Sequence, residues 1–228
     1  MFKTIKNALK TPEVRKKLLY TLLLIVIFRL GCYITIPGVD TFALAEEMSS
    51  ATNGVTGLID TISGGAFSRL SIFAMSITPY ITASIIIQIL AMDIIPYLSE
   101  LKKQGGTGRN QLNKITRITG IALAFLQGYI YSFAFLGDAG TGILNIDYLK
   151  FALVLTAGTS LLLWIGDQIT AKGIGNGISL IIMAGIISSM PTMFATAFTE
   201  LTSTNTFTGV LLFILYVVVY IAIILGVV

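Results

Sequence analysis

Six stretches of this sequence run for nearly twenty residues with scarcely a charge among them: 18–36, broken only by Arg29; 70–92, with Pro79 inside it; 118–136; 151–166; 178–198; and 210–228. A hydrocarbon layer about 30 Å thick is crossed by about 20 residues of helix rising about 1.5 Å each. The fourth run is short unless its helix continues back through Tyr148, with Lys150 snorkelling to the interface. Inside a bilayer every backbone amide and carbonyl must find a partner, and the runs show neither the alternation nor the roughly ten-residue length of barrel strands. The expected fold is an all-α polytopic membrane bundle.

The rest of the composition narrows the chemistry. Only 11% of the 228 residues are charged and 55% are apolar, against about 25% charged in soluble domains. There is no His and one Cys, Cys32, which excludes a disulfide framework, a Cys/His zinc site, a His-dependent triad and a thiol redox pair within the chain. No catalytic residue, metal or cofactor is expected. An intramembrane enzyme would need a nucleophile with a base, or facing aspartates, and the acids are scattered over different span ends. A small-solute transporter would need polar side chains gathered at midplane, and survives only as an alternative.

The net charge of +4 fits membrane orientation better than sequence-specific nucleic-acid binding, because the basic residues cluster beside apolar runs. Lys3, Lys6, Lys10, Arg15, Lys16 and Lys17 precede the first run; Lys102, Lys103, Arg109, Lys114 and Arg117 follow the second; Lys172 follows the fourth. All lie on one side of the topology, with Asp40, Glu46, Glu47, Asp60, Asp138, Asp147 and Glu200 opposite. The N-terminal tail, 1–17, is therefore expected in the cytoplasm, as is the end of the sixth span. The first run is nearly twice a usual signal-peptide core and has no small-residue cleavage site, so it reads as an uncleaved span.

The outer loop between the first two runs is not plainly hydrophilic. Its stretch VTGLIDTISGGAF, 55–67, carries Val55, Leu58, Ile59 and Ile62 at helical spacing and then Gly64 and Gly65. Two readings stay open here: a half-helix that dips into the membrane and turns back, or an amphipathic helix on the outer surface. Arg29, inside the first span, must snorkel outward or meet a carboxylate or backbone carbonyls. Asp93 and Asp167 end the second and fourth spans and read as interfacial. Gly173, Gly175 and Gly177 suit a tight turn before the fifth span; they lack the strand context of a dinucleotide fingerprint.

Three phrases together, FRLGCYITIPGVD, FSRLSIFAMSITPYITASIIIQIL and WIGDQITAKGIGNGISLII, resemble the SecY family of bacterial protein-conducting channels. The resemblance runs in order through essentially all 228 residues. Family members have about twice this length and ten spans, so the chain resembles the first five-helix half plus the first helix of the second, as an incomplete member would.

The resemblance implies a clamshell of two pseudo-symmetric halves around an hourglass pore. Such a channel passes unfolded secretory polypeptides across the bacterial plasma membrane and releases hydrophobic segments sideways into lipid. Residues 18–198 would form the first half, 199–208 an external hinge loop, and 209–228 the first helix of the second half. Gly57, Leu58, Ile59, Asp60, Thr61, Ile62, Ser63, Gly64, Gly65, Ala66 and Phe67 would form the plug. Ile77 and Ile81, and Ile178 and Ile182, are spaced four apart, which puts each pair on one helix face. By spacing alone such pairs are more often packing or lipid-facing; the resemblance reverses that and assigns them to the pore ring. It also implies SecE and SecG subunits, the SecA motor or a ribosome, and signal-bearing nascent polypeptides as partners, all among membrane lipids. Lys102, Lys103 and Arg109 would either touch the cytoplasmic partners or serve only as orientation charges.

Overall fold

The computed structural model describes residues 11–37, 55–92, 94–136, 146–202 and 206–227. They form eight helices: α1 Pro12–Gly31, α2 Val55–Ser63, α3 Thr78–Leu90, α4 Pro96–Lys103, α5 Gly106–Leu136, α6 Ile146–Lys172, α7 Gly177–Thr202 and α8 Thr206–Val227. The expected tail residues 1–10, Asp40, Glu46, Glu47, Asp93 and Asp138 lie outside the described residues. Among those described there is no strand, only one isolated bridge between Thr35 and Ser71, so the all-helical expectation holds. The chain packs as two units, Met1–Ile186 and Ile187–Val228.

In the first unit α6 is the central element, packed against α5 and α1. Its buried residues Tyr148, Phe151, Ala152, Leu155, Gly158, Thr159, Leu162, Ile165, Gly166 and Ile169 recur at the three-and-four spacing that keeps side chains on one side of a helix. Its opposite side is apolar too, with Leu153, Leu161 and Trp164 exposed. A helix apolar all round is either the core of a large protein or a membrane span, and α6 is long and apolar enough to cross, as is α7. The helix does continue back through Tyr148, to Ile146, and Lys150 reaches the Asp147 carboxylate at 2.9 Å.

The second expected span departs from a continuous helix. Residues 64–77 are turns, and helix begins only at Thr78, giving α3 a length of 13 residues. Two local causes act together. Pro79 sits in the first turn of α3, where its missing N–H costs nothing and its fixed φ starts a helix rather than continues one. Upstream, Leu70 and Ser76 hold positive φ of 46° and 51°, which no α-helix permits. Such backbone is tolerated at membrane depth only when protein covers it. The stretch is covered: Ala66, Phe67, Leu70, Phe73, Ala74, Met75 and Ile77 are all buried. Part of its backbone is satisfied by local turns, such as Ser71 N–H to Ala66 O at 3.0 Å, and part across the bridge, Ile36 N–H to Leu70 O at 3.0 Å and Ile72 N–H to Ile34 O at 2.9 Å.

The core of this unit gathers Leu24, Phe28 and Cys32 from the end of α1, Phe73 and Ile77 from the irregular stretch, Leu162, Leu163, Ile165 and Ile169 from α6, and Ile181 from α7. The Phe28 and Phe73 rings stack at 6.1 Å. In the second unit the end of α7 meets α8 through aromatic edges: Phe194 against Tyr216 and Tyr220, and Phe198 against Phe213.

Candidate functional site

The helical spacing of this stretch, common to both readings of it, is realised as α2, which stops at its glycines. Gly65 N–H bonds to Asp60 O at 2.9 Å and Gly64 N–H to Thr61 O at 3.2 Å, the paired six-to-one and five-to-two bonds of a Schellman ending. Gly64, at φ +70°, occupies the left-handed position, where a Cβ would be strained. Beyond the stop the chain is tied back to the helix. The Asp60 carboxylate accepts Ser68 N–H at 2.8 Å, and the Ser63 hydroxyl, fully buried, donates to Asp60 O and accepts Phe67 N–H. Phe67 packs edge-on against Tyr131 of α5, with ring centroids 5.7 Å apart. Residues 57–67 are thus a compact tied object.

The ending of α2 meets two other elements. Arg29, near the end of α1, donates from Nη1 to Gly64 O at 2.7 Å. Of the two fates expected for this intramembrane cation, it takes a backbone carbonyl, with its guanidinium also 5.6 Å from the centre of the Tyr33 ring. Arg69 lies over the same ring at 4.5 Å. On the other side Gly185 of α7 lies against the backbone of Ile62 and Gly64.

Three of the four isoleucines converge. Ile77 is 1% exposed in the central cluster, beside Ala66 from the returning loop, and Ile81 and Ile178 are partly buried against that same cluster. Ile182 is half-buried and lies outside it. The orientation of Ile178 and Ile182 is set by a cap that the sequence reading passed over. Asn176 Oδ1 accepts Ile178 N–H at 3.1 Å and Ser179 N–H at 3.4 Å. Gly177 N–H goes to Thr170 Oγ1 at 2.9 Å and Leu180 N–H to Asn176 O at 3.1 Å. Gly177, Ile178 and Ser179 N–H, which have no intrahelical acceptor, are thus satisfied, and Leu180 N–H makes the first intrahelical bond. An Asn immediately before an apolar helical run is the signal that marks it. Of the three expected turn glycines only Gly175 has positive φ, +72°.

The basic residues divide. Lys102, at the end of α4, and Arg109, in the first turns of α5, line one cavity of about 640 Å³ together with Tyr80, Gln88, Leu112 and Asn113. Lys103 does not line it. Asp167 of α6 forms an ion pair with Arg117 of α5.

A family profile described as SecY matches residues 71–228. The protein translocase subunit SecY of Staphylococcus aureus (strain NCTC 8325 / PS 47) is 51% identical over 195 residues, 84% of this chain and 45% of that protein. The subunit of the same name from Bacillus subtilis (strain 168) is 47% identical over 195 residues, 84% of this chain and 44% of its own length. The chain thus spans less than half the length of the curated relatives it matches. Two solved structures share its fold at a TM-score of 0.60 and 18% identity, covering 86% of this chain and 43% of theirs. One is described as the structure of a protein conducting channel, the other as Sec61 in the canine ribosome-channel complex from the endoplasmic reticulum.

Proposed function

This chain belongs to the SecY family, and from that premise we propose that it forms the first half, and one further helix, of a protein-conducting channel. The complete channel passes unfolded secretory polypeptides across the bacterial plasma membrane and releases hydrophobic segments into lipid. Its N-terminus lies in the cytoplasm, in keeping with the distribution of basic residues. Residues 57–67 act as the plug. Ile77, Ile81, Ile178 and Ile182 contribute to the constriction, and the hinge lies within 199–208, where the expected loop is shorter than ten residues because 199–202 belong to α7 and 206–208 to α8. The partners are SecE and SecG in the membrane, and SecA or a ribosome on the cytoplasmic face, where Lys102, Lys103 and Arg109 offer positive charge to anionic surfaces. Conduction needs no catalytic residue. The solute-transporter alternative falls away, since the relatives are protein translocase subunits.

The observation that carries the reading is the meeting of Ile77, Ile81 and Ile178 with Ala66 of the 57–67 segment in one apolar cluster. An apolar constriction sheds water and so resists ions, while offering a passing polypeptide no specific bonds. The burial of Ile77 suits a closed state in which ring and plug fill each other's space. The test replaces all four isoleucines with Ser in the complete channel and measures ion conductance during translocation. The expected result is higher conductance with membrane insertion preserved. Stalled nascent chains should cross-link to probes at Ile81 and Ile178; cross-linking elsewhere but not there overturns the assignment.

A further inference from the structure

We propose that Arg29, Gly64 and Gly185 form the catch that retains the 57–67 segment in its closed position, and that this catch sets how readily the segment leaves. The inference rests on the reading of 57–67 as a plug and assigns what holds it. Three elements meet at one point: the Schellman ending of α2, the end of α1 and the middle of α7. The contact between α2 and α7 is made by backbone on both sides. A Cβ at Gly185 would run into the Ile62 carbonyl oxygen, and would lie 3.5 Å from Gly64 N. A Cβ at Gly64 would lie 3.0 Å from Gly185 O and 2.7 Å from Arg29 Nη1. At Gly185 the obstacle is backbone that cannot withdraw, and at Gly64 the positive φ of +70° strains any side chain, so both positions favour glycine if the segment is to seat this deeply.

Arg29 closes the catch from the other side with a charge-assisted bond to Gly64 O at 2.7 Å, a stronger class of hydrogen bond than one between neutral groups. Among the described residues no carboxylate is within ion-pair distance of Arg29. Its acceptor is neutral, so departure of the segment breaks a bond without separating opposite charges. That suits a reversible closure better than a salt bridge, which would resist opening far more strongly in a poorly solvated site. The Tyr33 ring keeps the guanidinium in place.

The test uses the complete channel with its partner subunits, reconstituted in planar bilayers, and reads resting ion conductance without substrate. Gly185→Ala and Arg29→Gln should each raise the resting open fraction at least tenfold, the scale set by losing a charged hydrogen bond. Arg29→Lys should recover part of the closure. Gly128→Ala, where the added Cβ meets Ala152 at an ordinary 3.4 Å, should leave conductance unchanged. In a background lacking residues 57–67, Gly185→Ala and Arg29→Gln should have no further effect. If the deletion raises conductance while both variants remain like the wild type, the catch is wrong and the plug stands. If the variants raise conductance equally with the segment deleted, they act elsewhere and the catch is again wrong. If the deletion itself changes nothing, the plug reading falls and takes the catch with it. Should Gly185→Ala lower the yield of assembled channel, the Arg29 pair of variants decides, because it leaves the backbone contact untouched.

Discussion

Replacing Asn176 with Ala removes the side-chain acceptor shared by Ile178 N–H at 3.1 Å and Ser179 N–H at 3.4 Å. The second bond is long enough to be weak, so the loss amounts to one good bond and part of another. Capping substitutions of this kind cost about 1 kcal/mol, within a range of about 0.5–2, whereas Gly at the same position costs only a few tenths. Gly177 N–H is held by Thr170 Oγ1 and the first intrahelical bond runs from Leu180 N–H to Asn176 O, and Ala disturbs neither. For a chain of this size 1 kcal/mol shifts the unfolding midpoint by about 2–4 °C. Cys32 is the single cysteine of these 228 residues and is 1% exposed, so a thiol-reactive dye reports unfolding of the detergent-solubilised protein. The expected order of midpoints is wild type and Asn176→Asp together, then Asn176→Gly, then Asn176→Ala lowest. If Asn176→Ala melts with the wild type, or if Asn176→Asp falls as far as Ala, the cap is not what fixes the start of α7.

The Arg117–Asp167 pair, with side chains 51% and 39% exposed, should contribute less than about 1 kcal/mol. Asp167→Asn should therefore move the melting midpoint by no more than about 3 °C, and the difference should shrink in high salt; a large, salt-independent loss would show that the pair is buried in the complete protein. Reversing Lys102, Lys103 and Arg109 to Glu should weaken binding of the cytoplasmic motor, measured by co-sedimentation with proteoliposomes, without altering topology. Unchanged binding and topology would remove the contact. An inverted topology would make these residues orientation charges.

What the sequence disclosed, and what it hid, follows from the range of the forces involved. The crossing of α6 and the glycine stop of α2 are local matters of hydropathy and backbone freedom, and both are legible in a short window. Hydropathy read residues 70–77 as helix because their side chains are apolar, although Pro79 marked where helix starts. The turns before it depend on partners at Ile34 and Ile36, contacts that no window of sequence contains. The length of α5 was underestimated for the opposite reason. Its first turns, with Arg109 and Lys114, leave the apolar layer, so the helix outruns the run that identified it. Family resemblance singled out four isoleucines but could not separate Ile182, half-buried outside the cluster, from the other three. The partner of Arg29 was open because it is a backbone carbonyl 35 residues away.

The irregular stretch between α2 and α3 also bears on how such a chain is made. Helices such as α6 and α7 carry their backbone hydrogen bonds with them and can enter lipid one at a time, whereas residues 66–77 make part of theirs in local turns, exchange two with the segment after α1, and take their cover from α6. Placed in the bilayer before those neighbours, this stretch would leave Ile72 N–H and Leu70 O without their partners in hydrocarbon, at a cost of several kcal/mol for each group. During synthesis it must therefore wait near water until α6, which begins some seventy residues later, has emerged and inserted. Assembly of the protein is then out of step with the order of its sequence.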